Sequence, residues 1–141
     1  MRADIIAQPG CSKPCGLPLF LERVSAGFPS PADDYLEDRL DLNHHLVKHP
    51  AATFFVRASG DSMLGAGIHP GDILVVDRSL DPANNSVIIA AVNGDLTVKR
   101  LVKTGSALLL APDNERYRPI EIREGMDFEV WGVVTAVIHA L

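Results

Sequence analysis

Ser62 stands in the stretch Ala58-Ser59-Gly60-Asp61-Ser62-Met63, between a β-branched and aromatic run, Thr53-Phe54-Phe55-Val56, and a turn, His69-Pro70-Gly71-Asp72. At such a place a strand ends and the chain bends, with Gly60 leaving room for close backbone approach. The bend can expose a hydroxyl and aim backbone N–H groups at the same point, which is what attack on a carbonyl requires. A serine is a weak nucleophile at neutral pH and needs a base. A Ser-His-Asp arrangement needs a histidine held by a carboxylate, and nothing in the sequence brings His69 or His139 to Ser62. The other base is a neutral lysine. Bringing an amine from about 10.4 to about 7–8 disfavours its charged form by roughly 4 kcal/mol, which burial against an apolar β wall can supply. Lys99 lies in a strand-like run, Leu96-Thr97-Val98-Lys99-Arg100-Leu101-Val102. Alternation puts Thr97, Lys99 and Leu101 on one face and Leu96, Val98, Arg100 and Val102 on the other. Neither face is clean, so the pattern leaves both Lys99 and Arg100 open as the inward cation.

The remaining metal-ligating and nucleophilic residues carry less. Cys11 and Cys15 sit close together among Gly, Ser, Lys and Pro, and are the chain's only 2 cysteines. They could pair or supply half a metal site, but a zinc site needs roughly four ligands, and free thiols are the expectation. His44 and His45 are adjacent on a short helical stretch and diverge by about 100°, so they read as solvated rather than as a pair of ligands. No metal and no cofactor are expected.

The elements that must hold Ser62 and Lys99 follow from the order of the chain. Five of its 10 prolines, Pro9, Pro14, Pro18, Pro29 and Pro31, fall in the first part, with Gly10, Gly16 and Gly27 between them. That argues against regular structure there, yet Leu17, Leu19, Phe20, Leu21, Val24 and Phe28 need cover. Residues 1–41 therefore read as an extended arm lying on a groove, and 42–141 as the folded domain. Within the arm, Tyr35, Leu36 and Leu40 fall at helical spacing behind Asp33 and Asp34. Asp41 is placed to cap a short helix over 42–48, with Pro50 beyond its end.

After Pro50 the chain reads as β. Strand-forming runs cover 53–57, 72–76, 87–92, 96–102, 107–111 and 120–122, and 128–138 reads as two strands or one bent at Gly132. Turns at Pro70-Gly71, Asn93-Gly94, Thr104-Gly105 and Glu124-Gly125 separate them, and Asn93-Gly94 marks a tight hairpin. Strands at short intervals with little helix between them imply a mostly β, compact, largely antiparallel domain.

Composition narrows the function. A chain of 141 residues suffices for one domain with a real core. A net charge of −5 with no long basic run argues against strong direct DNA binding as the function, although a protein partner could bring the chain to nucleic acid. No stretch approaches the roughly 18 apolar residues of a membrane span, and residues 1–10 lack an apolar signal segment. The expectation is a cytoplasmic protein with no membrane partner.

Several motifs recur in an order that resembles the LexA/UmuD family of self-cleaving serine peptidases (peptidase S24). They are Ser-Gly-Asp-Ser-Met at 59–63, Gly-Asp-Ile-Leu-Val-Val-Asp at 71–77 and Asn-Gly-Asp-Leu-Thr-Val-Lys-Arg-Leu at 93–101. Phe-Pro-Ser-Pro-Ala-Asp-Asp-Tyr at 28–35, Asp-Leu-Asn at 41–43 and His-Pro-Ala-Ala-Thr at 49–53 look most like the family's SOS-mutagenesis branch. The likeness covers about residues 17–141, leaving residues 1–16 without a counterpart.

What the resemblance implies is specific. Ser62 is the nucleophile, Lys99 the neutral general base, and the backbone N–H groups of Asp61 and Ser62 candidates for the oxyanion hole. Family members cut their own arm between a small residue and glycine, and Ala26-Gly27 matches, with Val24 positioned for an apolar subsite. A RecA–single-stranded DNA filament stimulates the cut. The processed homodimer then joins a UmuC-like DNA polymerase subunit for error-prone synthesis past lesions. The chain departs from the family twice. Too few residues precede Gly27 for the repressors' helix-turn-helix domain, so a DNA-binding repressor is disfavoured. Asn84-Asn85-Ser86 also replaces the usual Gly-Asp turn, which Asn can satisfy by adopting a left-handed conformation. The rival readings are a signal-peptidase-like Ser-Lys protease, a non-catalytic dimerisation or polymerase-binding module, and the regulatory half of a phage-type repressor.

Overall fold

The structure, a computed structural model, describes residues 2–7, 13–20 and 36–141. Cys11, Val24 and the pair Ala26-Gly27 lie outside the described residues. In chain order the strands are β1 (Arg2–Ala7), β2 (Leu17–Phe20), β3 (Leu36–Leu40), β4 (Thr53–Ser59), β5 (Ile73–Asp77), β6 (Val87–Val92), β7 (Asp95–Thr104), β8 (Ala107–Ala111), β9 (Ile120–Ile122) and β10 (Phe128–Ile138). One short helix, α1 (Leu42–Leu46), follows β3. The chain divides into two compact units, residues 1–9 together with 49–141, and residues 10–48.

In the larger unit the strands pair antiparallel in the order β1-β4-β5-β10-β6-β7-β8-β9, and β1 also pairs with β7. That extra pairing closes β1-β4-β5-β10-β6-β7 into a ring, from which β8 and β9 extend. The domain is mostly β and antiparallel, as the turn spacing implies. The Asn93-Gly94 hairpin joins β6 to β7 with both residues at positive φ, 49° and 87°, the backbone that a two-residue turn between twisted strands requires. Asn85 takes φ 72°, the left-handed conformation expected of the Asn84-Asn85-Ser86 turn.

Two apolar clusters fill the unit. One joins Ala3, Phe54, Val56, Ala58, Met63, Ile68, Leu74, Val76, Ile89 and Val98, and the other Ile88, Ala90, Leu101 and Leu110. Fully burying each large aliphatic side chain contributes roughly 1.5–3 kcal/mol. Strand β6 feeds both clusters, with Ile88, Ile89 and Ala90 all at 0% exposure, which is why Val87–Val92 reads as an unbroken apolar run. β10 is one strand whose register shifts between Val130 and Gly132. A Cβ at Gly132 would meet Val76 Cγ1 at 2.7 Å and Asp77 O at 3.0 Å, so the strand bends where only glycine fits.

In the smaller unit, β2 and β3 pair with Leu17 opposite Leu40 and Leu19 opposite Asp38. This corrects two expectations. Leu36–Leu40 is a strand and not a helix, because cross-strand pairing overrides a helical spacing that rested on a few apolar residues. Regular structure also exists within the proline-rich segment, at β2 and, in the larger unit, at β1. The Asp41 cap is as expected, its carboxylate accepting from the N–H groups of Asn43 at 3.0 Å and His44 at 3.5 Å. His44 and His45 are exposed. Cys15 is an exposed free thiol.

Candidate active site

Strand β4 ends at Ser59, and Gly60 turns the chain at φ +81°, a conformation open to glycine at little cost. Ser62 follows immediately and is 1% exposed. Lys99 reaches it from the middle of β7, with Nζ 3.1 Å from Ser62 Oγ across 37 residues of sequence. The same Nζ lies 3.1 Å from Thr97 Oγ1 and 3.0 Å from the carbonyl of Val98. Among the described residues no carboxylate pairs with it. Burial in this setting pushes the Lys99 amine below the ordinary lysine value.

Nζ donates to all three oxygens. A neutral lysine has two N–H donors and one lone pair. Once the amine is neutral, Val98 O and Thr97 Oγ1 can keep the two donors while the lone pair takes the Ser62 O–H. Lys99 is 7% exposed, whereas Arg100 is half-buried and turns elsewhere. That resolves the choice which alternation left open. Residues on both sides of β7 are buried, Val98 with one cluster and Leu101 with the other, so no polar face marks the strand.

A strap over 113–117 holds the serine loop from outside. Asp113 N–H donates to Ser62 O at 2.8 Å, and Gly65 N–H donates to Asp113 O at 2.7 Å. Asn114 Nδ2 donates to Asp61 O at 2.8 Å, and Tyr117 O–H to Asp61 Oδ1 at 2.5 Å. The Asp61 carboxylate holds the Tyr117 hydroxyl above its usual range. Arg100 braces the strap, its Nε and Nη2 donating to Asp113 Oδ2 at 3.0 and 2.5 Å. Sequence reasoning missed Thr97, Arg100, Asp113, Asn114 and Tyr117. Pro112-Asp113-Asn114 is a turn signal, but nothing local says that it grips residues 61 and 62.

The histidines are engaged elsewhere. The register of β5 with β10 brings His139 beside Asp72, and His139 Nδ1 lies 2.5 Å from Asp72 Oδ1. His69 Nδ1 is 3.7 Å from Asp72 Oδ2, and the two rings stack with centroids 4.6 Å apart. Their ligand atoms with that of Asp72 lie within 4.8 Å of one another. Burial raises the Asp72 pKa, but hydrogen bonds from the His69 N–H and from His139, with the charge of both rings, outweigh it and hold the carboxyl low. Ser62 Oγ instead faces the lysine.

Among the described residues no helix is long and apolar enough to cross a membrane. The Peptidase S24-like family profile matches residues 18–135. The chain is 51% identical to Protein SamA of Salmonella typhimurium over 123 residues, covering 86% of this chain and 84% of the relative. It is 43% identical to Protein MucA of Escherichia coli over 136 residues, 96% of this chain and 92% of the relative. Because that likeness covers 96% of this chain, it reaches into residues 1–16, which the resemblance had left without a counterpart. The LexA repressor of Colwellia psychrerythraea is 35% identical over 126 residues, 89% of this chain and 59% of the repressor.

Proposed function

The chain belongs to the peptidase S24-like family, and from that premise we propose that it is a self-cleaving serine peptidase that cuts its own arm between Ala26 and Gly27. Ser62 Oγ attacks the Ala26 carbonyl while Lys99 Nζ accepts the hydroxyl proton. The N–H groups of Asp61 and Ser62 stabilise the charge that develops on the carbonyl oxygen. The intermediate collapses as Lys99 returns the proton to the Gly27 amine, leaving Ala26 esterified to Ser62. Water, deprotonated by Lys99, then releases the arm.

The observation that carries this reading is the 3.1 Å approach of a buried lysine, without a carboxylate partner among the described residues, to a buried serine. The wider role rests on the family and on UmuD-like relatives such as MucA. A RecA–single-stranded DNA filament stimulates the cut in the SOS response. The homodimer of residues 27–141 then joins a UmuC-like polymerase subunit, and the protein works in the cytoplasm.

Intact-mass analysis of the purified chain, incubated from pH 6 to 10, tests the chemistry. We expect a new N-terminus at Gly27, at a rate that climbs with pH as Lys99 loses its proton. Ser62→Ala and Lys99→Ala should both remain full length. Cleavage surviving in either variant, or a rate falling as pH rises, rules out the assignment. An unchanged mass under every condition, with the filament present, favours a non-catalytic binding module.

A further inference from the structure

The seam of the ring lies between β4, which leads to Ser62, and the first half of β7, which carries Lys99. β4 is paired on its other side by β5, and residues 95–99 of β7 are paired by β6. The next strand, β8, joins β7 only from Arg100 onward. What fills the seam is β1. It runs antiparallel to β4, with Arg2 opposite Ser59, Ala3 opposite Ala58, Asp4 opposite Arg57 and Ile5 opposite Val56. Arg2 also pairs with Thr97, whose hydroxyl contacts Lys99 Nζ. Ser59 Oγ–H donates to the Arg2 carbonyl at 3.3 Å. Residues 2–7 therefore lie along the edge that ends at the dyad.

We propose that this strand is a built-in inhibitor, an extended peptide seated in cis on the β4 edge where the scissile segment has to lie before Ser62 can reach its carbonyl. This inference rests on the self-cleavage reading above. The edge recognises backbone, so a strand of almost any sequence can pair with it. The selective contact is Ala3, which is 3% exposed and packs with Phe54, Val56, Ala58 and Met63. The position is filled by a small buried side chain, and Ser25-Ala26-Gly27 also presents small residues. The two segments then compete for one edge, and self-cleavage proceeds only in the fraction of molecules whose β1 has left. A six-residue strand held along β4 and by one residue pair to β7 is the kind of contact that local opening releases. The ligand class of the seam is thus an extended peptide with a small side chain at the position of Ala3.

Ala3→Arg cannot fit that buried position and should expel β1. Asp4→Pro, which removes the backbone N–H that faces Arg57 and changes an exposed side chain, is a second route to the same state. Occupancy is read first, without chemistry, in the Ser62→Ala chain by amide hydrogen exchange. Ala58 N–H donates to Asp72 O on the β5 side, so by alternation the Arg57 and Ser59 amides face β1. Both variants should exchange faster at Arg57 and Ser59, and a synthetic peptide of residues 1–9 should slow that exchange again. With Ser62 intact, unstimulated self-cleavage should accelerate by about tenfold, as expected if roughly nine molecules in ten are blocked, and the same peptide should reverse it. Unchanged exchange in both variants overturns the occupancy. Faster exchange with an unchanged or slower cut overturns the inhibition. If the unsubstituted chain never cuts, the self-cleavage reading fails, while the exchange result still decides whether β1 holds the seam.

Discussion

Replacing Gly65 with alanine tests whether the strap over 113–117 sets the reactivity of Ser62. A Cβ on Gly65 would stand 2.8 Å from the backbone oxygen of Asp113 and 3.3 Å from its Cβ. Ordinary contact begins near 3.4 Å, so the strap must retreat by about 0.6 Å, and no flexible side-chain end is there to yield. Asp113 N–H holds Ser62 O, and Asn114 holds Asp61 O, so that retreat pulls directly on the serine loop. Overpacking of this kind costs about 1–3 kcal/mol, or a fall in Tm of about 3–10 °C for a domain of this size. If a 1 Å misplacement costs about 100-fold in rate, 0.6 Å costs on the order of tenfold. The control is Gly67→Ala. Gly67 has φ +80° with nothing within 4 Å of its Cβ position, so alanine there strains the backbone by about 1 kcal/mol and displaces no neighbour. Self-cleavage followed by intact mass, alongside thermal unfolding, separates the two. A Gly65→Ala chain that cuts at the parental rate, or a Gly67→Ala chain that loses as much rate, would refute the reasoning.

Lys99→Met should abolish cutting and yet raise stability by about 1 kcal/mol, because it removes an amine whose charged form is disfavoured by burial. The depressed lysine binds its proton more weakly in the folded than in the unfolded chain, so parental stability rises with pH through that window. The advantage of the methionine chain should therefore be larger at pH 6 than at pH 9, and a pH-independent difference in Tm would contradict a depressed amine. Asp72→Asn should cost about 1–3 kcal/mol at pH 7 through weakened bonds to His69 N–H and His139. Because the folded Asp72 carboxyl sits below its ordinary value, its contribution is complete above the carboxylate range and is lost as pH falls below about 4. The Tm curves of the two chains should converge there, and parallel curves would argue against the pairing.

Much of the larger unit was legible because its elements are specified locally. Val87–Val92, Ala107–Ala111 and Ile120–Ile122 are strands at the expected bounds, and Asn93-Gly94 turns as its residue types demand. The misreading of Leu36–Leu40 had a physical cause. Two or three apolar residues suit either period, and the partner that decides, Leu17–Phe20, is remote in sequence. Of the proposed dyad, Ser62 stood out by its strand-to-turn setting, whereas Lys99 could not be told from Arg100.

Residue types and spacing thus determined the β character, the hairpins, the Asp41 cap and a short set of reactive side chains. Tertiary structure decided which of them meet. Lys99 turns inward because both sides of β7 are packed, a property of what surrounds the strand and not of its own pattern. His69 and His139 converge on Asp72 because β10 pairs with β5 in one register. β1 closes the ring by backbone pairing, which leaves little trace in side-chain identity. Local preference acts over a few residues, and the contacts that join Ser62, Lys99, Asp113 and Arg2 depend on closing long loops of chain.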